Sequence, residues 1–218
     1  MLGHAIGQLY VAEYFPEENK KYVSDLVENL RAALASHIDG LEWMGESTKS
    51  AAAEKLAALR VKIGYPDKWK DYSEIHVDPS LPYLENVYRA SVWYVQDNYS
   101  KMGKPVDREE WFMHPQTVNA YYSPLTNEIC FPAGILQPPY FDITADDAIN
   151  YGAIGVVIGH EMTHGFDDQG RRFDLSGNLK EWWSDEDAKR FNALADRLVD
   201  QFNAIEVAPG TFANGRYT

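Results

Sequence analysis

Apolar residues recur at helical spacing through the first half of the chain. Val23, Leu26, Val27, Leu30, Leu34 and Ile38 form one stripe after Pro16, Glu17 and Glu18, which predicts an amphipathic helix. Gly40 and Gly45 interrupt it. Residues 47–63 are alanine-rich, with Leu56, Leu59 and Ile63 in helical register, and Gly64, Tyr65 and Pro66 read as the helix stop. Residues 81–102 predict a further long helix, ended at Gly103, Lys104 and Pro105. The period then changes. Residues 117–122 are β-prone, residues 123–127 carry turn chemistry, and residues 128–131 read as a short returning strand. Pro132 suggests that this strand lies at an edge. From Ala145 to Phe166 there are few charges, which predicts one helix buried on all sides with an acidic start at Asp146 and Asp147. A turn follows at residues 174–177. Ser184, with Asp187 three residues on, caps a last amphipathic helix that runs to about Ala204. Residues 209–218 read as loop. The pattern is therefore mainly α with a small β-hairpin, an α+β chain with a helical part at 1–105 and a mixed part at 106–218.

Composition narrows the functional classes. The chain has 218 residues, of which 45% are hydrophobic and 13% aromatic, enough to build a sizeable core. Its net charge of −13 repels phosphate backbones and argues against nucleic-acid binding. Residues 153–158, the longest apolar run, are too few to span a bilayer, so no membrane contact is expected from this chain and it reads as soluble. Residues 1–15 do not have the pattern of a signal peptide. Cys130 is the single cysteine, which rules out an intrachain disulfide and a multi-cysteine zinc site.

The candidate chemistry lies in one helical run. His160 and His164 are four residues apart and share a helix face, so both imidazoles can reach one zinc ion. Glu161 sits roughly 100° further round, beside such an ion but not on it. This arrangement suits a general base that takes a proton from a zinc-activated water attacking a peptide carbonyl. Asp167 has two readings. It is either a carboxylate that accepts a hydrogen bond from a ligand imidazole, or an acid at a helix end beside a solvated turn. Gly152, Gly155 and Gly159 form a stripe that implies close packing against this helix, or room for a substrate.

A catalytic zinc normally has three protein ligands. One large class of zinc peptidases has a Gly three residues and a His six residues after the second ligand. Here those positions hold Asp167 and Gly170, which excludes that class. The acids downstream of the pair are Glu181, Glu186 and Glu206. Glu181 lies in a loop-like stretch, and Glu186 is explained by the helix dipole, so none stands out as the third ligand.

Several stretches resemble the neprilysin and endothelin-converting-enzyme family of zinc metallopeptidases. They are residues 118–123 (VNAYYS), 131–140 (FPAGILQPPY), 150–155 (NYGAIG) and 157–170 (VIGHEMTHGFDDQG). Upstream, residues 63–66 (IGYP) and the pair Trp43 and Met44 also fit. The resemblance implies a thermolysin-like zincin core with part of a helical lobe, one zinc ion per active site, and hydrolysis of peptide bonds in oligopeptides or proteins. It implies that His160 and His164 bind zinc and that Glu161 is catalytic. Asn119 and Ala120 would hold the extended substrate backbone from an edge strand. Ile135, Val156 and Val157 would help line the pocket for the residue after the cleaved bond. The family's third ligand is a Glu on a helix just beyond the region where this chain stops, so the resemblance implies an internal fragment. It also implies an extracytoplasmic setting, and the lone Cys130 favours a bacterial type of member. The competing expectation is a fragment that binds peptide or metal without cutting.

Overall fold

The computed structural model describes residues 2–217. Helix α1 spans Gly3–Tyr14 and α2 spans Glu17–Asp39. Pro16 is extended and precedes the first turn of α2, where Glu17 and Glu18 face the positive end of the helix dipole. The predicted stripe is the buried one: Val23, Leu26, Val27 and Ile38 are in the core, and Leu30 and Leu34 pack against it.

Helix α3 covers only Glu46–Ala57. The predicted continuation to residue 63 is a strand instead, β1 at Arg60–Gly64. Two interactions explain the early stop. The Arg31 guanidinium donates to the carbonyls of Leu56 and Leu59 at 2.6 and 3.0 Å, satisfying groups that a longer helix would have used. Val61 and Ile63 then alternate with Arg60 and Lys62 in β-period and pair with a second strand. Gly64 is therefore a strand end with φ +74°, where a Cβ would meet the Phe15 ring, and not a helix cap.

Helix α4, Tyr83–Ser100, agrees with the third predicted helix. The predicted hairpin forms from β2, Tyr121–Ser123, and β3, Glu128–Pro132, but β2 is shorter than the strand predicted over 117–122, so Asn119 and Ala120 lie before it and not on it. The sheet order is β1-β3-β2, with β1 parallel and β2 antiparallel to β3. Pro132 thus lies on the central strand, not at an edge. It is tolerated there as the last strand residue, after which the Ala133 amide takes up the pairing to the Gly64 carbonyl at 2.9 Å.

The predicted helix over 145–166 is two helices, α5 at Asp147–Gly152 and α6 at Ile154–Thr163. Ala153 divides them with φ −108° and ψ −90°. Nor is α6 buried on all sides. Ile154, Gly155, Ile158, Glu161 and Met162 face the core, whereas Val156 and His160 are exposed. No atom lies within 4 Å of where a Cβ would stand on Gly152 or Gly159, so among the described residues no backbone packs closely there. Helix α7 runs over Asp185–Asn203, with the Ser184 side chain accepting from the Asp187 amide as the capping pattern predicts. Residues 206–212 are more ordered than a loop, since β4 (Glu206–Ala208) and β5 (Thr211–Phe212) form a hairpin.

The molecule is mainly α with small sheets. One hydrophobic core runs from Phe15 to Trp183 and is continuous across residue 105. None of the described helices is long and apolar enough to cross a membrane.

Candidate metal centre

Helix α6 presents two opposed faces. Ile154, Ile158 and Met162 anchor it in the core, which turns His160 and His164 towards solvent and Glu161 inward, towards β2. The His160 and His164 Nε2 atoms converge to 3.0 Å. Two nitrogens at that separation can both lie about 2.0–2.1 Å from a single zinc ion, so the donor pair fits half of a catalytic zinc site. Among the described residues, no three His, Cys, Asp or Glu side chains gather as a metal site. Glu181, Glu186 and Glu206 therefore do not complete the pair.

Asp167 lies behind His164. Its Oδ2 is 2.7 Å from His164 Nδ1, on the side of the ring away from the converging nitrogens. Its Oδ1 accepts the backbone amides of Gln169 at 2.9 Å and Gly170 at 2.7 Å. A carboxylate held in this way suits an Nδ1–H tautomer of His164, with Nε2 left free as a donor to metal.

Glu161 is buried, with 7% of the residue exposed. Burial pushes its pKa up, while His164, His160 and a hydrogen bond with the Tyr122 backbone pull it down. An open cleft of about 360 Å³ runs beside it, bordered by Ala120, Tyr122, Glu161, His164 and Phe173. The β2 strand forms one wall, and among the described residues no strand pairs with its outer edge.

The other predicted site residues are placed unevenly. Asn119 and Ala120 directly precede β2, Ala120 borders the cleft, and the Ala120 amide donates to the Asn119 side chain at 2.9 Å. Ile135 is buried in the core, Val157 is partly buried against it, and Val156 stands exposed one turn before His160. None of these three borders the cleft that holds Glu161.

Sequence reasoning missed one residue. Lys55, in α3, is fully buried, and its ammonium donates to the carbonyls of Gly165, Gly170 and Phe173 at 2.7, 2.8 and 2.7 Å. These carbonyls belong to the loop that follows α6. That loop folds back tightly, because a Cβ on Gly170 would stand 1.7 Å from the His164 carbonyl oxygen. Gly170→Ala is accordingly expected to cost about 3 kcal/mol or more, since backbone must move to admit the methyl. Thermal denaturation measures this, and a loss under about 1 kcal/mol would show that the loop adapts freely.

Comparison with known proteins agrees with this architecture. Two sequence profiles, both described as Peptidase family M13, match residues 1–66 and 119–218. Neprilysin-3 of Drosophila melanogaster is 37% identical over all of this chain and 28% of its own length. Endothelin-converting enzyme 1 of Rattus norvegicus is 40% identical over all of this chain and 29% of its own. Among solved structures, the Mycobacterium tuberculosis zinc metalloprotease Zmp1 in complex with inhibitor superposes with a TM-score of 0.90 at 46% identity, covering 99% of this chain and 33% of Zmp1. PepO from Lactobacillus rhamnosis gives a TM-score of 0.90 at 36% identity, over 98% of this chain and 34% of PepO. The chain belongs to peptidase family M13, the neprilysin and endothelin-converting-enzyme family. It spans about a third of the length of the relatives and structures it matches.

Proposed function

We propose that this chain is the part of a zinc metalloendopeptidase that carries two zinc ligands, the general base and one wall of the substrate cleft. The observation that carries this reading is the convergence of His160 and His164 beside a buried Glu161. His160 and His164 would hold the zinc through their converging Nε2 atoms, with Asp167 fixing the His164 ring through Nδ1. Zinc, when bound, polarises the scissile carbonyl and lowers the pKa of water. Glu161 accepts the proton of the attacking water and returns it to the leaving amine. An extended peptide adds to the open edge of β2, guided by Asn119 and Ala120. Ile135, Val156 and Val157 border the substrate only where segments outside these residues complete the pocket. The substrates are peptides and the setting is extracytoplasmic, as the resemblance to neprilysins implies.

The family resemblance implies a third ligand other than these residues, and among the described residues no third metal-binding side chain gathers beside His160 and His164. The isolated chain is thus expected to lose its zinc on dialysis, and the complete enzyme to keep about one ion per active site and cleave peptides internally. Elemental analysis and a peptide-cleavage assay test both points. Retention of zinc by the isolated chain would place the third ligand within it. Cleavage by the complete enzyme after His160→Ala, with no zinc left, would overturn the metallopeptidase reading. The same two-ligand observation favours a second reading for the isolated chain alone, as a fragment that binds peptide or metal without cutting.

A further inference from the structure

The ammonium of Lys55 is an unusual feature so close to the proposed centre. The residue is 1% exposed, and among the described residues no carboxylate is bonded to it. Its three donors are each satisfied by a backbone carbonyl of the loop after α6. The rings of Tyr122, Phe166 and Trp182 surround it at 5.9, 5.8 and 5.4 Å. A lysine needed only to finish a fold would ordinarily keep its charge at the surface.

The positions of its partners show what it holds. The Gly170 carbonyl accepts from Lys55, and the Gly170 amide donates to Asp167 Oδ1 at 2.7 Å. Asp167 Oδ2 then meets His164 Nδ1 at 2.7 Å. The Gly165 carbonyl, also held by Lys55, directly follows His164 in sequence. One cation therefore grips both ends of the short loop that carries Asp167. Burial lowers the Lys55 pKa to about 8, while Asp167 and Asp174 pull it upwards, so it remains largely protonated at neutral pH.

We infer that Lys55 is a positioning residue for the zinc site: through the Gly170 peptide it sets the Asp167 carboxylate against His164 and so raises the affinity of the His pair for zinc. This rests on the zinc-site reading above. Loss of the cation would take the ammonium from the buried Gly165 carbonyl, leave the Gly170 and Phe173 carbonyls only the Phe173 amide at 3.1 Å and the Trp182 indole at 3.0 Å, and free the loop to shift Asp167.

The test is a double-mutant cycle in the complete enzyme, read as zinc release to a chelator from protein confirmed as folded by circular dichroism. Asp167→Asn is expected to weaken zinc binding by roughly 10- to 100-fold, as loss of a carboxylate behind a ligand histidine does. Lys55→Met is expected to weaken it by about tenfold, and to add nothing further in the Asp167→Asn background, because both changes break one linkage. If Lys55 merely stabilised the fold, K55M would lower the melting temperature with zinc release unchanged, or its effect on zinc would add to that of D167N. Either result overturns the inference. Where K55M does not fold, Lys55→Gln, which keeps a donor in the same space, takes its place. Failure of both to fold would make Lys55 an ordinary folding residue and also overturn the inference. His160→Ala serves as the control. Zinc retained by H160A would mean that the site itself is misassigned, whereas zinc lost by H160A but held normally by K55M would exclude the role of Lys55 alone.

Discussion

Glu161→Gln in the complete enzyme is expected to lower kcat by roughly 10³-fold while the zinc content stays unchanged. The substitution keeps the size of the side chain and an oxygen that can still accept from the Tyr122 backbone, so the packing of α6 against β2 persists. What is lost is the ability to take a proton. The residue is not one of the converging donors, which are the Nε2 atoms of His160 and His164, so zinc has no reason to leave. KM should change little, because the interaction removed is made in the transition state and not in the ground state. Steady-state kinetics with elemental analysis decides the matter. Activity within about tenfold of the parent would exclude Glu161 as the general base. Loss of zinc with the activity would instead make it part of the metal's own support.

The parts of this molecule that were legible in the sequence are those whose signal is local. The stripe from Val23 to Ile38 is the buried face of α2, and Ser184 caps α7, because helix period and capping depend on neighbours three or four residues away. The His160 and His164 spacing is of the same kind, and the rings do meet. The misread elements depend on distant partners. Val61 and Ile63 alternate correctly for a strand, but the alanines before them extend the helical pattern. What ends α3 is Arg31, a residue of another helix. Pro132 reads as an edge residue until β1, more than 60 positions earlier, is seen to pair on the far side of β3. Helix α6 reads as buried because its composition is apolar, yet Val156 and His160 face outward. Lys55 had no signal at all. Its partners are backbone carbonyls 110 to 118 residues away, and carbonyls are the same in every sequence.

Removing one member of the buried pair Lys62 and Glu128 is expected to have the largest effect on stability outside the zinc site. The pair links β1 to β3 on the sheet face away from Ile129 and Phe131. Lys62 Nζ donates to Glu128 Oε1 at 2.8 Å and to the Glu110 carbonyl at 2.7 Å, and the Tyr121 hydroxyl donates to the same Oε1 at 3.2 Å. Glu128 is fully buried, and its Oε2 has no hydrogen-bond partner among the described residues, so the pair is already incompletely satisfied. Such a pair adds little over an apolar one of the same volume, but each member alone is an uncompensated buried charge. Glu128→Leu or Lys62→Met singly should therefore cost about 3 to 5 kcal/mol, whereas the double substitution should recover most of that loss. Urea denaturation of the three variants measures both quantities. Single-variant losses below about 1 kcal/mol would mean that water reaches the remaining charge and that this face of the sheet is less closed than its packing indicates. Two large losses that simply add in the double variant would mean that the two side chains stabilise the strands independently, and that the contact between them contributes nothing to holding β1 against β3.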